Sequence, residues 1–102
     1  MSRREGPGLT VSTCLSWNAA VTAESPRDGE FRVAGQAARL TFSQLSEAIV
    51  SALQRLAPPG EDEGVLADLV LEAGGASELS RWYFSLQRLA SRGLIVRSVY
   101  AA

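Results

Sequence analysis

The sequence predicts an α+β domain in which a three-stranded antiparallel sheet is followed by three helices and a terminal strand. Three observations predict it. Apolar residues fall on alternate positions as far as Phe42, they switch to helical spacing from Leu45 onward, and the final LIVRSVY stretch is again β-rich. With 102 residues the chain has the length of one domain with a single modest core.

Residues 1–8 carry Arg3, Arg4, Gly6, Pro7 and Gly8 without periodicity and are expected to form a flexible N-terminal arm, which leaves 9–102 as the domain. From Leu9 to about Ala23, Val11, Thr13, Leu15, Trp17, Ala19 and Val21 keep strand period. Ser25-Pro26-Arg27-Asp28-Gly29 is a turn signal, because Asp-Gly favours positive φ. Glu30 to Ala34 alternates as a second strand with Phe31 and Val33 inward. After a turn at Gly35-Gln36, Ala38 to Phe42 makes the third.

The first helix places Leu45, Ile49, Val50, Leu53 and Leu56 on one face and stops at Pro58-Pro59-Gly60. Ser46 is its expected N-cap, with Leu45 and Val50 as a hydrophobic staple; Thr41 with Gln44 is the alternative start. A second helix from about Asp62 to Ala73 buries Val65, Leu66, Leu69 and Val70 and ends at Gly74-Gly75. The third begins at Ser77 as N-cap, runs to about Arg92 and ends at Gly93. This order of elements is that of a winged helix-turn-helix domain.

The side-chain inventory limits the chemistry. The chain has no His and no Lys, which removes His triads, His metal sites, a P-loop lysine and Schiff-base chemistry together. Cys14 has no second cysteine and no histidine to activate it, and reads as a small apolar group in a strand. Glu61, Asp62 and Glu63 precede an apolar helix, where carboxylates complement the positive end of the dipole better than they suggest a metal site. A binding domain is expected rather than an enzyme. A net charge of −1 argues against a general nucleic-acid binder. No apolar run is long enough for a membrane span or follows the N-terminal arginines as in a signal peptide, so the expected location is cytoplasmic.

The stretch RWYFSLQRLASRGLI is the most informative. At about 100° per residue, Leu79, Trp82, Leu86 and Leu89 share one face, flanked by Tyr83 and Ala90. Phe84 then lies about 160° from the centre of that stripe, among Ser77, Arg81, Arg88 and Ser91. Three readings of the outer face stay open: a groove that grips a peptide, a DNA-reading helix, and a Phe84 that docks on another part of a larger protein or is simply an exposed aromatic. Against DNA, Glu78 occupies the first turn, where base-contacting side chains belong, and the arginines are scattered.

The segment from Ala67 to Ala101, and within it Arg81, Trp82, Tyr83, Phe84, Leu86, Leu89, Arg92, Gly93 and Leu94, resembles the N-terminal region of SagB-type azoline dehydrogenases of ribosomal peptide natural-product biosynthesis. The resemblance implies a RiPP recognition element, a PqqD-like winged helix that binds the leader of a precursor peptide and delivers the core to modifying enzymes. In that family the leader adds as a strand beside the third strand and packs on the third helix. Carried onto this chain, the strand is Arg39, Leu40, Thr41 and Phe42, and the helix positions are Arg81, Phe84, Ser85 and Arg88. The flavin-binding catalytic domain of such dehydrogenases does not follow, so no cofactor is expected here and FMN belongs to that separate domain. The expected partners are a leader peptide and the pathway's modifying enzymes, without nucleic acid or membrane; a homodimer is compatible. A winged-helix DNA-binding regulator and a structural domain supporting a catalytic partner remain as alternatives.

Overall fold

The computed structural model describes residues 11–101, and the expected N-terminal arm lies outside them. Six strands and two helices follow in the order β1 (Val11–Trp17), β2 (Thr22–Arg27), β3 (Glu30–Ala34), β4 (Arg39–Phe42), α1 (Glu47–Gln54), β5 (Glu61–Asp62), α2 (Glu63–Ser91) and β6 (Ile95–Ala101). They build two three-stranded antiparallel sheets, ordered β5-β1-β6 and β2-β3-β4.

This corrects the expected architecture of one sheet followed by three helices. The long period-two run from Leu9 to Ala23 is not one strand. Asn18 interrupts it by accepting from its neighbour Ala19 N through Oδ1 and donating to Gly93 O, and Ala20 takes a positive φ of 66°. The chain leaves the first sheet there and enters the second. The Ser25 to Gly29 turn signal is also narrower than expected. Strand β2 continues to Arg27, and Gly29, at φ 77°, makes the tight return that only glycine adopts freely.

The second and third helices are likewise not separated by a loop. Gly75 has non-helical angles, φ 77° and ψ −169°, so α2 is two helical halves that meet directly at a kink, at the Gly74-Gly75 boundary where the sequence places it. With no intervening loop, Ser77 lies inside the helix instead of capping it. The N-terminal ends of α1 and α2 lie where the sequence places them, whereas α1 stops at Gln54, short of Leu56 and of Pro58-Pro59-Gly60. Ser46 caps α1 by accepting from Ile49 N, and Asp62 caps α2 by accepting from Val65 N at 3.1 Å.

A single core joins the layers. Leu15 and Trp17 come from the first sheet, Phe31, Val33, Leu40 and Phe42 from the second, and Ile49, Leu53, Leu66, Val70, Trp82, Leu86 and Leu89 from the helices. Trp17 stacks on Phe31 with ring centroids 6.0 Å apart, which ties β1 to β3. At the start of α2, Glu63 receives two hydrogen bonds from Arg97 of β6, at 3.0 and 3.1 Å, and one from Thr13 of β1 at 2.7 Å. Burial alone would raise this carboxyl, and Asp62 nearby adds to that. The bonds from Arg97 and Thr13 and the charge of Arg97 outweigh both and hold it below the usual carboxylate value. Cys14 is half-buried, with its thiol 3.6 Å from Pro59 O. No helix among the described residues is long and apolar enough to cross a membrane.

Candidate functional site: a groove between a sheet edge and a helix

Strand β4 is an edge strand, bonded to β3 on one side only. The phase of that pairing decides what its free side offers. Gly35 N donates to Ala38 O across the turn, so in an antiparallel ladder the pairs Val33–Leu40 and Phe31–Phe42 exchange main-chain bonds. Arg39 and Thr41 therefore turn their N–H and C=O groups to the open edge. Leu40 and Phe42, in contrast, aim their side chains into the core and are 5% and 4% exposed.

The other wall is the second half of α2. Its helical phase follows from the buried face. Trp82, Leu86 and Leu89 fill the core, so Arg81, Phe84 and Arg88 look outward and Ser85 sits between the two faces. Phe84 is 63% exposed, the outward placement that the sequence predicts. Tyr83 and Ala90, expected at the flank of the buried stripe, are both exposed.

Between β4 and α2 lies an open groove of ≈ 580 Å³, lined by Thr41, Phe42, Ser43 and Leu45 on one side and Ser80, Arg81, Phe84, Ser85 and Arg88 on the other. Six of the eight residues singled out in the sequence thus meet in one place. The buried Ser85 donates from Oγ to Arg81 O at 3.0 Å and forms part of the floor. The Arg88 guanidinium lies 5.1 Å from the centroid of the Phe42 ring, a cation–π contact. Arg81 donates to Gln44 O at 3.0 Å and pairs with Glu78 at 3.4 Å. The two remaining residues fall elsewhere. Leu40 is core, and the Arg39 side chain lies on the outer face of the sheet with Glu24, Arg32 and Thr41, beside a second hollow of ≈ 440 Å³.

Sequence reasoning missed Arg92. Its guanidinium crosses to β4 and donates to Arg39 O at 3.3 Å. The available signal was its spacing, because Arg81, Arg88 and Arg92 at i, i+7 and i+11 share one helical face. The groove lining holds arginine and no carboxylate, together with an exposed aromatic ring and hydroxyls. Such a surface suits an extended, partly apolar, anionic ligand. Among the described residues no cluster of His, Cys, Asp and Glu could hold a metal.

Fold and groove together define a class: a small α+β helix-turn-helix domain with a cleft between a sheet edge and its last helix. The chain belongs to the ThcOx helix turn helix domain family, whose sequence profile matches residues 9–102. No curated protein and no solved structure matches it.

Proposed function

We propose that the domain binds the leader segment of a ribosomally made precursor peptide and presents it to a modifying enzyme such as a flavin-dependent azoline dehydrogenase. The leader adds as a strand along β4 and sends alternate side chains into the groove against α2. The observation that carries this reading is the coincidence of an open strand edge with a groove that holds an unpartnered aromatic, Phe84. Strand addition supplies main-chain bonds of low sequence dependence, and the pockets for alternate side chains supply selectivity.

Two further points support it. The opposite edge of the same sheet, β2, contains Pro26 and a register irregularity between Glu24 and Arg27, devices that discourage pairing, whereas Thr41 in the middle of β4 has no such obstruction. The family description also connects the domain with thiazole and oxazole chemistry, the context in which leader-guided modification operates.

Titration with candidate leader peptides and, separately, with duplex DNA tests the reading. A leader is expected to bind with a shallower salt dependence than DNA, and DNA only non-specifically, with affinity falling steeply as salt rises. A sequence-specific DNA complex that survives physiological salt, with no leader binding, overturns it.

A further inference from the structure

Guanidinium groups from α2 and from its C-cap residue close the two ends of the β4 edge and leave its centre open. Arg92 donates to Arg39 O at one end, and Arg81 donates to Gln44 O at the other. Between them Arg88 covers the Phe42 ring and makes no bond to the edge among the described residues. The helix face therefore runs alongside the strand, with Arg92 opposite residue 39, Arg88 opposite residue 42 and Arg81 opposite residue 44. Over that length the main-chain groups of Thr41 turn outward and have no partner among the described residues.

Resting on the strand-addition reading, we infer that Arg81 and Arg92 set the register of the bound peptide: they confine its pairing to Thr41 and select carboxylate side chains on either side of one apolar residue. The reasoning is geometric. Each guanidinium has five N–H donors and spends few of them on its carbonyl and, for Arg81, on Glu78. The remaining donors stand at the two ends of the groove, where a carboxylate can be gripped in the fork geometry that lysine lacks. Arg81 and Arg92 are eleven residues apart, about 16 Å of helix rise. An extended strand covers about 13 Å in four residues, and flexible arginine stems take up the difference. Side chains at i, i+2 and i+4 of a strand share one face. The matching ligand is then an extended peptide that reads acid, apolar, acid at alternate positions, with the apolar side chain against the exposed ring of Phe84.

The probe is a synthetic peptide, acetyl-Thr-Glu-Thr-Leu-Thr-Glu-Thr-amide, compared with its isostere in which Gln replaces both Glu. Affinity and the amide chemical shift of Thr41 are followed together. The Glu peptide is expected to bind about fivefold tighter at low salt, to shift the Thr41 amide, and to lose that advantage in R81Q and in R92Q. In R81E the preference should turn toward a peptide with Lys in the Glu position next to residue 81. If both peptides shift Thr41 and bind equally, or if the advantage survives in R81Q and R92Q, the arginine register is wrong while strand addition stands. If neither peptide disturbs Thr41, and a longer leader does not either, strand addition itself fails and takes the inference with it.

Discussion

Trp82 and Phe84 stand two positions apart on the same helix, yet one is fully buried and the other 63% exposed. The contrast separates two uses of an aromatic residue. Trp82 closes the core beneath α2 with Leu86 and Leu89, so its worth is realised when the chain folds. Phe84 faces the groove between α2 and β4, where its apolar area is withheld from folding. What burial of that ring can contribute is therefore left to a ligand. Arg81 and Arg88 follow the same division, since neither enters the core and both line the groove.

The largest expected effect falls on the buried side. Trp82→Ala should lower stability by about 3–5 kcal/mol, read from chemical denaturation, because it empties the centre of the core. A loss below about 1 kcal/mol would mean that the inner face is not the one described. Gly75→Ala comes next, at about 1–3 kcal/mol. Nothing lies within 4 Å of the added Cβ, so the penalty is the backbone conformation alone, φ 77° with ψ −169°. If the variant is as stable as the parent, the break in α2 does not persist in solution.

A smaller and pH-dependent effect belongs to Glu63, which fastens the start of α2 to β1 and β6. Its carboxyl is held below its usual value, so the folded state gains from its ionisation above the unfolded value of about 4.3 and loses that gain as pH falls through the folded value. Glu63→Gln should cost about 1–2 kcal/mol at pH 7, a figure kept low because Arg97 is half exposed. The difference from the parent should close in acid. A cost that stays constant from pH 7 to pH 3 would contradict the ionic origin.

Phe84→Ala should have the smallest effect on stability, within about 0.5 kcal/mol. It should nonetheless weaken leader binding by about 1–3 kcal/mol in calorimetric titration. The pairing of these two results sharpens the contrast with Trp82, for which stability and binding should fall together.

Local signals in the sequence carried much of this. The helical phase that sends Trp82 inward and Phe84 outward follows from 100° per residue, and Ser46 as a cap follows from its place ahead of an apolar face. The helix wall of the groove was legible because Arg81, Phe84 and Arg88 follow from helical phase, whereas Ser85, the strand residues Thr41 and Phe42, and the approach of strand to helix had to come from the resemblance. The failures are non-local. The run from Leu9 to Ala23 keeps its alternation through Asn18 and Ala20. What breaks it is a hydrogen bond to Gly93, 75 residues away, together with pairing of β1 to β6 at the far end of the chain. Gly74-Gly75 reads locally as the end of one helix and the start of another, and the kink at Gly75 lies there; what the local signal does not carry is that the two halves meet without a loop. Arg92 was overlooked because its partner is a main-chain carbonyl, which has no signature in side-chain chemistry.

Amide hydrogen exchange along β4, with and without a leader peptide, bears most directly on the claim that this edge is where a strand is added. The outward amides of Arg39 and Thr41 should exchange faster in the free domain than those of Leu40 and Phe42, which bond to β3. Saturation with the peptide should slow Thr41 above all, and Phe84→Ala should return it toward the free rate at the same peptide concentration. Thr41 protection unchanged by a peptide that demonstrably binds would contradict the account, and would move the site away from the β4 edge.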